Sequence, residues 1–256
     1  EILRCLVGSE MCIRDRRSSG IAPGARAAAV VALDPRNGAV RAMVSRPGYD
    51  PNLFVNGISS KDWAVINNDT SYPMNNKVIS GEYPPGSTFK IVTGSAAFEL
   101  KKVGLNEPIY DGGFHPLVPT MSNAGGEVLG WLTFVKALAM SDNVYFYELG
   151  YRVGIDNIAK YARIYGFGER TGIDLLGESK GLVASKQVKK EIWNEGWRLG
   201  DTFNAAIGQG FNLTTPIQLA VMLSIVANGG TKYQPYLVDS LSLIHISEPT
   251  RHLRIS

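Results

Sequence analysis

The segment Tyr83-Pro84-Pro85-Gly86-Ser87-Thr88-Phe89-Lys90 (YPPGSTFK) delivers a serine to the mouth of an apolar helix, with a lysine one turn further on. Phe89, Ile91, Val92, Ala96, Ala97 and Leu100 give the predicted helix, Ser87–Lys101, a broad apolar face. Such a helix is buried on most sides. Pro84 and Pro85 are expected to hold the approach extended and to keep the helix from starting earlier. Ser87 then stands at the N-terminus, where backbone N–H groups lack intrahelical partners and the dipole favours negative charge. That is a ready environment for a developing oxyanion. Ser87 and Lys90, spaced i, i+3, share one face of the helix. A hydroxyl becomes a useful nucleophile only beside a base, and a neutral amine can take its proton. The chain has three histidines, His115, His245 and His252. A Ser-His-Asp triad is therefore poorly supplied, and Ser-Lys chemistry is the more natural reading. Alone, the pair also reads as a capping serine with an exposed lysine, and about one Ser-x-x-Lys is expected by chance in such a composition.

Outward from this segment, composition sets bounds. The 256 residues are 45% hydrophobic and 19% charged, the balance of a soluble globular chain with ample core. The net charge of +3 is too small to argue for nucleic acid or an anionic membrane surface. No apolar run approaches the ~20 residues of a membrane span. Both cysteines, Cys5 and Cys12, lie near the start, so neither a disulfide framework nor a cysteine metal site can be argued. Residues 1–16 (EILRCLVGSEMCIRDR) show neither clean period 2 nor clean helical spacing, residues 240–256 (SLSLIHISEPTRHLRIS) interrupt what reads as a strand beginning at Tyr236, and both resemble translated sequencing-adaptor read-through. The expected division is a non-native head (1–16), part of a catalytic domain (17–239) and a non-native tail (240–256).

Along the chain, Asp34-Pro35-Arg36-Asn37-Gly38 between two short apolar runs predicts a hairpin. Residues 46–83 read as a long irregular excursion with a helical patch near Lys61–Ile66, and 107–130 as a turn-dominated stretch. Short helices are expected over Thr133–Met140, Val144–Val153 and Ile155–Tyr165. Thr215-Pro216-Ile217-Gln218 has the residues of a capped helix start, and Gly229-Gly230 supplies the stop. A strand begins near Tyr236. His115, near Asp111, reads as a loop histidine rather than a metal ligand. Trp193 and Trp197 read as packing residues.

Ser141-Asp142-Asn143 is the second chemical signal: a hydroxyl and an amide presented together between two helices. A polar turn explains it equally well in isolation. With Ser-x-x-Lys it forms two parts of the signature of penicillin-binding proteins and class A β-lactamases. Six blocks, two of which hold these motifs, occur in one order: VVALDPRNGAVRAMVSRPGYDP (30–51), GEYPPGSTFKI (81–91), SDNVYFYELGYRVGID (141–156), YGFGERTGIDLLGE (165–178), GDTFNAAIGQG (200–210) and TTPIQLAVMLSIVANGG (214–230). On these the chain resembles the class B penicillin-binding protein transpeptidases of the penicillin-binding protein 2 type, across residues 24–239.

The resemblance implies an α/β fold, the serine β-lactamase/transpeptidase-like fold, here truncated before its third-motif strand so that the central sheet is incomplete. It implies a peptidoglycan D,D-transpeptidase that needs no cofactor. Ser87 would attack the D-Ala-D-Ala carbonyl of a stem peptide, and β-lactams would acylate it. Lys90 would be the general base, Ser141 a proton relay and Asn143 an orienting amide. The Ser87 N–H would be one oxyanion donor. Gly208 and Gln209, in a tight turn beside the groove, are candidate substrate-binding residues. Peptidoglycan stem peptides, β-lactams and a membrane glycan polymerase would be the partners. The catalytic domain would lie on the extracytoplasmic side of a bacterial membrane, its anchor outside this sequence. The family's Lys-[Ser/Thr]-Gly motif is missing. Arg170-Thr171-Gly172 stands in a different block and does not replace it. The chain as written is therefore expected to be an inactive fragment. A β-lactamase, a D-Ala-D-Ala carboxypeptidase and a non-catalytic β-lactam sensor remain alternatives.

Overall fold

Asp34–Gly38 does reverse the chain between two antiparallel strands, β1 (Ala28–Leu33) and β2 (Val40–Arg46). The structure, a computed structural model, describes residues 26–239. The expected head and tail, both cysteines, His245 and His252 lie outside the described residues. Ala28 pairs with Arg46 and Val30 with Val44, and the register slips once between Ala32 and Leu33. The Asp34 carboxylate closes the turn by accepting from Arg36 and Arg41. Those guanidinium groups hold its pKa well below the usual carboxylate range. Tyr236 joins the outer edge of β2, donating its N–H to Gly38 and accepting from Val40. The strand expected near Tyr236 is thus seen as a single parallel bridge.

Within the excursion that follows, α1 (Ser60–Asn67) is capped by Ser59, whose hydroxyl accepts from the Asp62 N–H. The chain then reaches α2 (Lys90–Glu99) through a 3-10 turn, Gly86–Phe89. One expectation is corrected here. Pro85 is not extended but already right-handed helical, at φ −65° and ψ −22°. The fixed φ of proline suits a helix's first turn, so this residue begins the turn rather than delaying it.

A second correction concerns 107–130. Four short strands lie in and just beyond it: β3 (Ile109–Asp111), β4 (Phe114–His115), β5 (Val118–Ser122) and β6 (Gly130–Leu132). They pair as two antiparallel ladders, β3 with β6 and β4 with β5. His115 belongs to β4 rather than to a loop and is buried. Its Nδ1 accepts from the Leu117 N–H, leaving Nε2 to face Glu148 at 3.1 Å.

The elements that follow are helices joined by irregular chain: α3 (Phe134–Ala139), α4 (Asn143–Val153), α5 (Ile155–Ile164), α6 (Lys186–Trp193), α7 (Leu199–Ala206) and α8 (Pro216–Ala227). α2 packs on α4 and α5, and α4 on α7. Their shared core includes Phe89, Val92, Ala96, Phe146, Leu149 and Phe203. Contact between α4 and α7 is close enough that a Cβ on Gly150 would stand 2.6 Å from the Ala206 Cβ. Apolar α8 covers β1. Among the described residues no sheet has more than two strands.

The start of α8 forms a reciprocal capping box between Thr215 and Gln218. Gln218 is buried, and its amide does more than cap. Oε1 accepts from Thr214 Oγ1 and the Thr215 N–H, while Nε2 donates to the carbonyls of Glu169 and Lys180. Leucine would fill the space but leave those buried groups unpaired. Gln218→Leu is expected to destabilise the fold by ~2 kcal/mol, read as a lower urea midpoint with an unchanged slope. A midpoint matching the parent would refute this role.

Candidate active site

Ser87 is exposed on the 3-10 turn, while Phe89 and Lys90 on the same turn of chain are buried. The exposure of Ser87 and Thr88 ahead of buried Phe89 and Lys90 follows from the local pattern. Phe89 enters the core beside Phe167, which pins the turn and leaves Ser87 on the rim of a cleft. The turn is held from below by the C-terminus of α7. There Gly208 takes a left-handed φ of +74°, with Gly208 N–H bonded to Ala205 O and Gln209 N–H to Asn204 O. That is the glycine-terminated helix end known as the Schellman motif. The Gly208 carbonyl accepts from the Gly86 N–H at 2.9 Å. Of the two candidate binding residues, Gln209 lines the cleft with Ser87. Gly208 is buried against Gly86 and supports the turn instead.

Lys90 is fully buried, and its ammonium nitrogen meets three acceptors. Nζ lies 2.6 Å from Ser141 O, 2.8 Å from Asn143 Oδ1 and 3.2 Å from Ser141 Oγ. Burial lowers its pKa to about 8, against the opposing pull of the Asp142 carboxylate. The ring of Phe146 lies 5.4 Å away. A neutral amine has two hydrogens and one lone pair. The two carbonyl-type oxygens can only accept, so they take the hydrogens. The lone pair is then left for the hydroxyl of Ser141.

Ser141 Oγ in turn lies 2.9 Å from Ser87 Oγ. The helix spacing alone places Lys90 on the face of Ser87. The structure connects them through Ser141, 51 residues further on from Lys90. This chain of contacts, Ser87–Ser141–Lys90, can carry a proton from the Ser87 hydroxyl to the amine. Ser141 adopts a left-handed φ of +55°, rare for a serine and costly outside a site that over-determines it.

Asp142, to which no role was attached from sequence, is buried and caps α4 by accepting from the Tyr145 N–H. Burial, followed by the neighbouring Asp111 carboxyl, raises its pKa. Asn123 also lines this cleft and escaped sequence reading. The cleft encloses about 230 Å³. Arg170-Thr171-Gly172 is folded around the carboxylate of buried Glu178 and does not line it. Trp197 packs as expected, donating Nε1–H to Thr202, and Trp193 leans on Phe211.

A Ser-x-x-Lys turn facing a Ser-x-Asn turn across one cleft places the chain among the penicillin-recognising serine proteins. Comparison with known sequences narrows the class, since the penicillin binding protein transpeptidase domain matches residues 28–254. The chain belongs to that family. Over 217 residues it is 38% identical to the peptidoglycan D,D-transpeptidase MrdA of Escherichia coli K12, covering 83% of this chain and 34% of that protein. It thus spans about a third of the length of the curated relatives it matches. Penicillin-binding protein 2 of Pseudomonas aeruginosa, solved with WCK 5153, superposes with a TM-score of 0.79 at 36% identity, over 88% of this chain and 52% of that one. Penicillin-binding protein A of Mycobacterium tuberculosis, solved as a penicillin G acyl-enzyme, superposes with a TM-score of 0.70 at 30% identity, over 83% and 48%.

Proposed function

We propose that the complete protein is a peptidoglycan D,D-transpeptidase in which Ser87 is the acylated nucleophile. The observation that carries this reading is the hydrogen-bonded path from exposed Ser87 through Ser141 to a buried lysine of lowered pKa. Neutral Lys90 draws the Ser87 proton through Ser141 as Ser87 Oγ attacks the carbonyl between two terminal D-alanines. Ser141 then returns the proton to the departing amine, and D-alanine leaves. A neighbouring stem-peptide amine attacks the acyl-enzyme, forms the cross-link and frees Ser87. The Asn143 side chain fixes Lys90 throughout. Gln209, on the cleft wall, contacts substrate. The family relationship extends the proposal to a membrane-held protein, its catalytic domain on the extracytoplasmic face and a glycan polymerase as partner. No helix among the described residues is long and apolar enough to cross a membrane.

The test is incubation of the full-length protein with a fluorescent penicillin, followed by trypsin and fragment mass spectrometry. One long-lived adduct is expected on peptide 78–90, at Ser87. An adduct elsewhere, or none, would overturn the reading. Release of hydrolysed drug as fast as it is bound would reassign the site to a hydrolase. Cross-linking of stem peptides by the same preparation separates a transpeptidase from a sensor.

A further inference from the structure

Three buried side chains stand behind the Ser141–Asn143 turn, and the path just described uses none of them. Asp111 ends β3, Asn123 follows β5, and Asp142 precedes α4. They are 1%, 6% and 2% exposed. Asn123 is the hub. Its Oδ1 accepts from the N–H groups of Asn143 (2.8 Å) and Val144 (3.3 Å). Its Nδ2 donates to Asp111 Oδ2 (2.8 Å), Asp142 Oδ2 (3.3 Å) and the Glu127 carbonyl (3.0 Å). Asp111 is itself fixed by the N–H groups of Gly113 and Leu129.

We infer that Asn123, braced by Asp111, is a positioning residue for acyl transfer: it holds the Ser141–Asn143 turn so that Ser141 Oγ and Asn143 Oδ1 meet Lys90. The inference rests on the acyl-transfer reading above. Its physical basis is a division of labour within one side chain. A helix start presents unpaired N–H groups. Asn123 satisfies the first two of α4, Asp142 the third. Only an amide offers an acceptor to those N–H groups and, on its other end, donors to two adjacent carboxyls. Aspartate at 123 would keep the acceptor and place a third carboxyl among them. Leucine would do neither. The β3–β6 ladder is thereby tied through Asp111 and Asn123 to the backbone of Asn143, whose side chain reaches Lys90. Strained Ser141, one bond before Asp142, needs such a tether to stay in its left-handed conformation.

The experiment uses the full-length protein, a fluorescent penicillin and rapid mixing. Rapid mixing resolves the non-covalent dissociation constant from the acylation rate constant. Asn123→Ala, Asn123→Asp and Asp111→Asn are compared with the parent, with thermal unfolding recorded for each. Misplacement of a reacting group by about 1 Å costs on the order of 10²-fold. The acylation constant should therefore fall between about 10-fold and 100-fold in Asn123→Ala, with the dissociation constant within about threefold of the parent. If Asn123→Ala does not fold, the isosteric Asn123→Asp and Asp111→Asn should show the same split. A folded variant that acylates at the parental rate overturns the inference, as does a loss confined to the dissociation constant. Failure of all three to fold would mark the cluster as structural and overturn it too. If the parent itself takes no adduct at Ser87, the acyl-transfer reading falls first. A parent acylated at Ser87 with unimpaired variants removes the positioning role alone.

Discussion

Lys90→Met is expected to lower the acylation rate constant by about 10³-fold or more and, at neutral pH, to make the fold more stable. Both effects come from one amine. Methionine has nearly the shape of the lysine stem but no lone pair, so the proton leaving Ser87 through Ser141 has no acceptor. Stability moves the other way because an ammonium in this position is deprived of water. Its pKa is 10.5 in the unfolded chain and about 8 when folded, a difference worth about 3 kcal/mol. The lost hydrogen bonds to Ser141 and Asn143 offset part of this, but both residues border an open cleft where water can replace the amine. A net gain of about 1 kcal/mol is expected.

The stability gain should also depend on pH. Between pH 8 and 10.5 the unfolded chain binds the proton that the folded one has released, so parental stability rises with pH across that window. Below pH 8 the cost of the buried charge is fully present; above 10.5 it is gone. The stability difference between Lys90→Met and the parent should be largest below pH 8 and shrink toward pH 10.5. The other titrating lysines and tyrosines are common to both proteins and cancel. The parental acylation constant should climb through about pH 8 and then level. Near-parental acylation by Lys90→Met would remove the lysine from the mechanism. A stability difference flat from pH 7 to 10.5 would remove the buried charge.

Which of these features were legible beforehand depended on how local their causes were. The α8 start is written in adjacent residues, Thr215, Pro216 and Gln218, and the helix begins where they place it. Pro35 and Asn37-Gly38 likewise specify the hairpin in five residues. Ser87 and Lys90 were visible as a pair because a helical turn separates them. Their link through Ser141 has no such local mark, because it depends on how α2 packs against α4; only the family resemblance offered Ser141 as a relay. The left-handed Ser141 leaves no local mark either, since serine is ordinary in turns. The ladders within 109–132 escaped notice because β3 and β6 have three residues each, too few to show alternation. Asn123 sits in Ser122-Asn123-Ala124-Gly125-Gly126, which has the composition of any loop. Its meaning comes from partners 12 and 20 positions away.

The resemblance to a known family added Ser141, Asn143 and Gln209 to the candidate site, but it could not say that Gly208 supports Ser87 from beneath. That claim has its own test. Gly208→Ala should destabilise the fold by about 3 kcal/mol and slow acylation by about 10²-fold. Two costs add. Alanine at φ +74° meets the left-handed penalty of ~1–2 kcal/mol. Its Cβ would also stand 2.2 Å from the Gly86 carbonyl oxygen and 2.6 Å from the Phe89 Cβ. Neither neighbour is the tip of a flexible side chain, so the strain is relieved only by moving the turn that carries Ser87. Gly210→Ala is the control within the same loop. Its φ is +67°, and its nearest neighbour would be the Asn204 Cβ at 3.2 Å, away from the Ser87 turn. That variant should carry the backbone cost of ~1–2 kcal/mol while acylating at close to the parental rate. Urea unfolding and acylation kinetics on the two variants separate the terms. Equal acylation by both would mean that the turn bearing Ser87 does not depend on the Gly208–Gly86 contact. A loss confined to Gly208→Ala makes that contact part of what holds the Ser87 hydroxyl in place.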